Sequence, residues 1–174
     1  MTDHIVVGDR VLLDVSFCAA RARLQLLARD EVLLRASEEA YGENIAGMVR
    51  LAGPTAGLSR LAGVGLEDLA ETDDCAHIAL QWEAIAADGK LFAALDADLM
   101  LVPAGDQITA LALAGAYRPQ PGPAGADLDR AIVRRCAAAA IRSFLARVAC
   151  ALVHPAGTAG PPGRSPPRPP LGEG

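Results

Sequence analysis

The segment AGADLDRAIVRRCAAAAIRSFLARVACALV, residues 124–153, has the pattern of one long helix on which the rest of the chain must pack. It contains no proline, and its only glycine is its second residue, so nothing further along forces a break. Asp127 and Asp129 suit the positive end of the helix dipole, and Pro155 ends the pattern. At about 100° per residue its apolar side chains share one broad face: Val133, Ala137, Ala140, Ile141, Phe144, Leu145, Val148 and Leu152. Such a face requires an equally apolar partner surface.

Three runs with period-two alternation predict that partner as an antiparallel meander. They span residues 77–87, 91–102 and 107–117. Asp88-Gly89 joins the first two runs and Ala104-Gly105 joins the last two. Both joints suit tight hairpins, and Asp-Gly is the stronger signal because it tolerates the positive backbone dihedrals that such turns require.

A two-residue turn at Asp88-Gly89 fixes the register of the first hairpin, with these pairs on one apolar face: Trp82 with Leu95, Leu80 with Ala97 and Ile78 with Leu99. The second hairpin is predicted to add further residues to that face: Leu101, Ile108, Ala110, Ala112, Ala114 and Ala116. The opposite face is predicted to be polar: Gln81, Glu83, Asp96, Asp98, Gln107 and Thr109. Because alanines leave room for a close approach, we expect the long helix to lie across the alanine-bearing face.

Before the meander, the chain is expected to form one strand and two short helices. Residues 4–15 alternate as a strand does, and Ser16 is a candidate N-cap for a helix that begins at Phe17. The second helix is expected to end at Gly42, since glycine is common just past a helix C-terminus. Strand-like patterns over residues 45–51 and 58–69 bring the predicted sheet to about six strands.

The composition indicates one globular domain followed by a tail. The chain has 174 residues, a net charge of −5 and 3% aromatic residues, so its core is expected to be aliphatic. Mild acidity and scattered arginines argue against nucleic acid as a partner. No apolar run reaches membrane-spanning length without charge, so no membrane partner is expected. Residues 1–153 are predicted to form the domain, and residues 154–174, rich in proline and glycine, to be a disordered tail.

Neither a disulfide framework nor a metal site is indicated. The four cysteines form no CxxC pair and are expected to be reduced thiols in a cytosolic protein. The histidines His4, His77 and His154 share no ligand spacing, so neither a metal nor another cofactor is predicted.

The order of elements and several short sequence segments resemble the START-like superfamily, also called SRPBCC or Bet v 1-like, in its actinobacterial branch. The resemblance covers residues 4–153 through these words: Ser37-Glu38-Glu39-Ala40-Tyr41, Gln81-Trp82-Glu83-Ala84, Leu91-Phe92, Leu95-Asp96-Ala97-Asp98, Pro103-Ala104-Gly105 and Tyr117-Arg118-Pro119. It implies an α+β helix-grip fold, in which a curved antiparallel sheet of about six strands wraps around the long C-terminal helix, with two short helices after the first strand. It also implies a cavity between sheet and helix, which members use for lipids, sterols, polyketides or hormones, and some for cyclase or aromatase chemistry.

Two sets of charged residues are candidates for chemistry. Asp96 and Asp98, with Glu83 nearby, could serve acid–base catalysis or hold a metal, but their alternation is typical of a solvated strand face. No catalytic residue is therefore predicted. Arg130 and Arg134 fall at the N-terminal end of the apolar helix face. They either snorkel to the rim or pair with a carboxylate, or they meet an acidic or carbonyl-bearing ligand at the cavity mouth.

The leading hypothesis is a cytoplasmic carrier or sensor that binds a small apolar molecule, such as a lipid or a polyketide-like compound, without a cofactor. Its expected ligand-binding residues are Arg130, Arg134, Ile141, Trp82, Leu95 and Leu99. One alternative is a polyketide cyclase or aromatase-like enzyme, which needs a titratable group inside the cavity. The other is an interaction module with a filled core. The sequence leaves the oligomeric state open.

Overall fold

The computed structural model describes residues 4–52, 60–85, 91–119 and 130–155. Its elements, in chain order, are β1 (Ile5–Leu13), α1 (Phe17–Arg29), α2 (Val32–Ala52), β2 (Arg60–Leu66), β3 (Ala70–Glu71), β4 (Ala76–Ile85), β5 (Leu91–Gly105), β6 (Ile108–Pro119) and α3 (Arg130–Val153). The strands form one antiparallel sheet in the order β1-β6-β5-β4-β2, and β3 pairs with β4. Helix α3 contacts β1, β6 and α2. This is the predicted α+β helix-grip arrangement.

The register between β4 and β5 is the predicted one. All three expected pairs are present: Trp82–Leu95, Leu80–Ala97 and Ile78–Leu99. Since successive side chains of a strand point to opposite faces, this register places all six on the face toward the helices. The expected turn at Asp88-Gly89 lies outside the described residues.

The predicted phase of β6 was wrong by one residue. Strand β5 continues through Pro103 and Ala104 to Gly105, so the turn is formed by Asp106 and Gln107. The pairing register shifts between Pro103 and Gly105. A one-residue slip moves every side chain of a strand to the opposite face. The core face therefore receives the odd-numbered residues of β6: Leu111, Leu113, Gly115 and Tyr117.

The predicted alanine row lies on the outer face instead, together with Ile108: Ala110, Ala112, Ala114 and Ala116. Thr109, expected on the solvent face, is fully buried, and its hydroxyl donates a hydrogen bond to the carbonyl of Val15 over 2.7 Å. Gly115 occupies a point where β5 and β6 come too close for a side chain. A Cβ at this position would lie 2.6 Å from the Cα of Ala97.

Helix α1 begins as predicted and α2 does not end as predicted. Ser16 is the N-cap of α1, and its hydroxyl accepts a hydrogen bond from the backbone N–H of Ala19 over 3.4 Å. Helix α2 runs through Gly42 to Ala52, so the strand expected over residues 45–51 is helix. An interior glycine costs about 1 kcal/mol. Contacts of α2 with α3, including an ion pair made by Glu43, offset that cost.

Helix α3 carries the predicted apolar face. Its buried residues are Cys136, Ala137, Ala140, Ile141, Phe144, Leu145, Val148 and Leu152, whereas the side chain of Val133 lies outside those described. By length and composition alone, Arg134–Val153 could cross a membrane, but half of this segment is buried inside the protein. Its apolar character is that of a helix packed into the core.

Candidate functional site

A small cavity lies between α2, α3 and one end of the sheet. Its volume is about 20 Å³, counted as room for the centre of a water molecule, within a recess of about 340 Å³ that includes space open to solvent. Five elements contribute to the lining: Tyr41 from α2, Trp82 and Ala84 from β4, Ala94 and Leu95 from β5, Tyr117 from β6, and Ala137, Ala140 and Ile141 from α3. We call this region the cavity end.

Small side chains take part in the lining on both sides of the cavity end. Ala84 belongs to β4, and Ala137 and Ala140 belong to α3. The opposite end of the same interface, which we call the filled end, is packed with larger residues that are at most 1% exposed: Ile78, Leu99, Leu101, Leu111, Leu113 and Phe144. Within one core, large residues therefore fill one end and alanines leave space at the other.

Trp82 brings a polar group to the cavity. Its side chain is 4% exposed, and its ring meets that of Phe144 edge to face, with 5.6 Å between centroids and 87° between planes. This geometry is a favoured one for aromatic pairs. The indole Nε1 is buried, yet no described residue accepts a hydrogen bond from it. An unmet buried donor carries a desolvation cost of about 1–3 kcal/mol.

Two phenols stand near this indole. Tyr117 lies in line with Trp82 across the sheet, because Leu95 pairs with both of them. Burial raises the pKa of the Tyr117 phenol, and the neighbouring Tyr41 and the Cys136 thiol raise it further. Burial also raises the pKa of Cys136. Tyr117 and Cys136 are therefore neutral at physiological pH and act as hydrogen-bonding groups.

The structure brings together half of the residues that the sequence nominated as ligand-binding. Trp82, Leu95 and Ile141 line the cavity. Leu99 is fully buried at the filled end and is not among the lining residues. Arg134 is exposed, and the side chain of Arg130 lies outside those described.

Arg134 is on the cavity side of α3 by its spacing. It precedes two lining residues, Ala137 and Ile141, by three and seven positions, and residues with this spacing share one side of a helix. Its exposed position one turn before the lining agrees with the expected place at a rim.

The carboxylates weighed as catalytic candidates lie on the outer face of the sheet. Asp96 accepts a hydrogen bond from Gln81 over 2.9 Å and pairs with Arg118. Asp98 lies 2.9 Å from the Nε2 of His77. No cluster of metal-ligating side chains occurs among the residues described. The polar set is a solvated face of the kind that the alternation predicted.

Sequence reasoning missed Tyr41, Tyr117 and Cys136 as neighbours of the site. Tyr117 was missed because the wrong phase of β6 assigned it no place on the core face. Tyr41 was missed because α2 was expected to end at Gly42, the next residue. The helical phase of α3 contained a signal for Cys136, because this residue is adjacent to Ala137 and one turn before Ala140.

Polar contacts fasten α2 to α3 beyond the cavity. The Arg147 guanidinium contacts Glu39 at 2.8 Å and Glu43 at 2.5 Å, and it also bonds to the Ser143 hydroxyl. The hydrogen bond from Arg147 is the main cause that lowers the pKa of Glu43, and a hydrogen bond from Ser143 adds to it. We call these four residues the α2–α3 clamp.

No protein-family model and no curated protein matches this sequence. Several solved structures match in fold. A START superfamily protein from Mycobacterium smegmatis matches at 12% identity over 86% of this chain and 97% of its own, with a TM-score of 0.40. The Zhui aromatase/cyclase from a Streptomyces species matches at 12% identity over 89% of this chain and 99% of its own, with a TM-score of 0.38. A conserved protein from Geobacillus kaustophilus matches at 10% identity over 83% and 93%, with a TM-score of 0.42.

The observed strand order and helix placement confirm the START-like fold. Assignment to the actinobacterial branch stays a prediction. At such low identities the matches concern the fold alone, so function is inferred from the residues of this chain.

Proposed function

We propose that this protein binds a small, mainly apolar molecule at the cavity end, as a carrier or sensor. The observation that carries the proposal is the recess between the sheet and α3, whose lining includes Ala84 of β4 and Ala137 and Ala140 of α3. Protein interiors normally reach crystal-like packing density, so an unfilled recess is a departure from the usual core. Space left beside these alanines, next to a buried indole N–H without a described acceptor, is suited to a guest molecule.

Binding requires the recess to widen. Its closed volume of about 20 Å³ matches a single water molecule, and a ligand of eight or more heavy atoms needs much more. Alanine side chains cannot move aside, so the Tyr41 side chain or the α2–α3 contact must move. The exposed α2–α3 clamp is suited to such a movement, because exposed ion pairs are individually weak.

The described lining favours binding over acid–base catalysis. An aromatase-like reaction would need a group that gains or loses a proton inside the cavity. The ionisable groups at or beside the described lining are the phenols Tyr41 and Tyr117 and the Cys136 thiol, and burial raises the pKa of the last two. Raised pKa values keep them protonated, so they offer hydrogen bonds and no general base.

Arg134 is proposed to stand at the mouth of the cavity and to attract the polar end of a ligand. Its exposed position on the cavity side of α3 supports this role. Arg130 is proposed to share it, one turn earlier. We further propose a cytoplasmic location, which the four free cysteines support.

The test is a titration with 1-anilinonaphthalene-8-sulfonate, whose fluorescence rises in apolar surroundings. Ala140→Leu places a larger side chain in the cavity, and Ala146→Leu makes the same change on the exposed side of α3. We expect Ala140→Leu to weaken probe binding at least about tenfold, because three added carbons fill the space. Ala146→Leu should bind the probe as the wild type does. Equal affinity in all three folded proteins would contradict binding at this cavity.

The same titration, carried out on arginine variants, tests the proposed role of Arg134 at the cavity mouth. Arg134 and Arg135 are adjacent and both exposed, but only Arg134 has the spacing of the lining residues. We expect Arg134→Gln to weaken binding of the anionic probe about 3- to 10-fold, with Arg135→Gln near wild type. Equal losses would point to general attraction of the sulfonate to basic charge and would remove the specific role of Arg134.

A further inference from the structure

The single indole of the chain indicates which chemical class of ligand suits the cavity. Trp82 is the sole tryptophan, lines the cavity and is 4% exposed. Buried N–H groups in folded proteins almost always have an acceptor. The Nε1 of Trp82 has none among the described residues. Its ring is held edge to face on Phe144, which restricts any swing of the N–H toward an acceptor elsewhere.

The surroundings of the indole define which acceptor would suit it. The described lining holds apolar residues, two phenols and the indole, and none of these residues carries a positive charge. A buried carboxylate without a cationic partner is strongly disfavoured, whereas a neutral oxygen needs only a donor. The acceptor that fits this position is therefore an uncharged oxygen.

The sheet adds a second constraint, which is the arrangement of hydrogen-bonding groups. Trp82, Leu95 and Tyr117 occupy one row across three adjacent strands. Two strand spacings separate the backbones of Trp82 and Tyr117 by about 9–10 Å. A flat ring system lying over Leu95 would thus have an N–H donor at one side and a phenol at the other.

We propose that the ligand bound at the cavity end is a neutral carbonyl compound with an aromatic or alicyclic body, whose oxygen accepts a hydrogen bond from Nε1–H of Trp82. This inference rests on the proposed function and narrows it to a chemical class. The competing account is a resident water molecule, for which the closed cavity has room. In that account the oxygen partner of Trp82 is structural, and carbonyl compounds gain no advantage.

The experiment uses the full chain and two probes of nearly identical shape, acetophenone and α-methylstyrene. They differ in one position, where the first has a carbonyl oxygen and the second a CH₂ group. Because the chain has a single tryptophan, its indole N–H gives one cross-peak in a ¹H–¹⁵N spectrum. We expect acetophenone to move this peak downfield and to bind about 3- to 30-fold more tightly than α-methylstyrene.

Trp82→Phe keeps an aromatic ring and removes the donor. In this variant we expect the two probes to bind with affinities within about twofold of each other. A preference for the ketone that persists in the variant would overturn the proposal, as would equal binding of both probes to the wild type. Acetophenone binding without movement of the indole peak would show that Trp82 serves a structural water only.

The probe measurements distinguish a failure of the proposed binding function from a failure of the carbonyl preference. If neither probe binds the wild type, the proposed function itself is wrong and the carbonyl preference falls with it. If both bind equally, the cavity still takes an apolar guest and only the carbonyl preference is wrong. The wild-type spectra decide between these outcomes even if Trp82→Phe does not fold.

Discussion

The two ends of the interface between α3 and the sheet use the same backbone arrangement and opposite side-chain volumes. At the filled end, Phe144 of α3 and the pair formed by Leu99 of β5 and Leu113 of β6 are all at most 1% exposed. At the cavity end, Ala140 of α3 faces a recess whose sheet side includes Ala84. One turn of helix separates Ala140 from Phe144, so the change from filled to open core happens within about 6 Å.

This difference in packing separates the part of the core that is expected to stabilise the fold from the part that is proposed to bind a ligand. The filled end contributes dense apolar packing, and α1 closes it: Arg23 of α1 donates to the carbonyl of Leu152 near the end of α3 over 2.5 Å. The cavity end gives up packing volume and contains the unmet donor of Trp82. Mutations should therefore affect folding at the first end and ligand binding at the second.

The largest effect is expected from Phe144→Ala. Phe144 is fully buried, is the only aromatic residue on α3, and supports the Trp82 ring. Its truncation should lower the free energy of unfolding by about 3–5 kcal/mol, from lost burial and the resulting cavity. Urea unfolding followed by circular dichroism measures this change. A loss of under about 1 kcal/mol would mean that the filled end is not tightly packed.

A matched pair on β4 compares the two ends directly. Ala76 and Ala84 are both buried on the core face, but Ala84 lines the cavity and Ala76 pairs with the buried Leu101. Ala76→Val should cost about 1–3 kcal/mol through overpacking, whereas Ala84→Val should cost less than about 1 kcal/mol. Unfolding in urea measures both variants. Equal losses would show that the two ends are packed alike.

Alkaline stability tests the buried phenol of the cavity end. The pKa of Tyr117 is raised above its usual value of 10.0, chiefly by burial, so the folded state holds this proton more tightly than the unfolded state. Its stability contribution is complete below pH 10 and is lost as pH rises further, by about 1.4 kcal/mol for each pH unit. Tyr117→Phe should remove this part of the alkaline loss. Parallel unfolding curves for both proteins between about pH 9 and 11 would contradict the burial of this phenol.

The smallest effect is expected at the exposed α2–α3 clamp. The pKa of Glu43 is lowered from 4.5, mainly by its hydrogen bond with Arg147, so its contribution is present above pH 4.5 and is lost as pH falls through the folded pKa. Glu43→Gln should lower the melting temperature slightly at pH 7 and not at pH 3. Glu38→Gln is the control, since exposed Glu38 lies on the same helix and pairs with none of the described residues. A pH-independent difference between wild type and Glu43→Gln would rule out this linkage.

The predictable parts of the fold were those governed by a single periodicity. The face of α3 from Ala137 to Leu152 follows the helical period, and the pairing of Trp82 with Leu95 follows from period two and a short turn. The phase of β6 failed because one extra residue enters the register between Pro103 and Gly105. A bulge of this kind is not visible in the alternation of side chains along a strand. It changes which residues pair across the two strands, while the alternation within each strand continues.

The candidate site was predictable only in part for the same reason. Trp82, Leu95 and Ile141 lie within elements whose phase was correct. Tyr117 depends on β6, and Tyr41 depends on a helix that continues through Gly42. Leu99 is on the predicted face but is not among the residues that line the cavity, because periodicity gives the face of a residue and not the local packing density along it.

The most direct test of binding at the cavity end is an intermolecular nuclear Overhauser measurement on the wild-type protein with bound α-methylstyrene. We predict cross-peaks from the probe's methyl group to the methyl groups of Ala140 and Ile141 and to the ring protons of Trp82. The outer face of β1 offers the competing apolar surface, since Val6 is 79% exposed and Leu12 is 60% exposed. Cross-peaks confined to Val6 and Leu12 would place the probe outside the core and contradict binding at the cavity end.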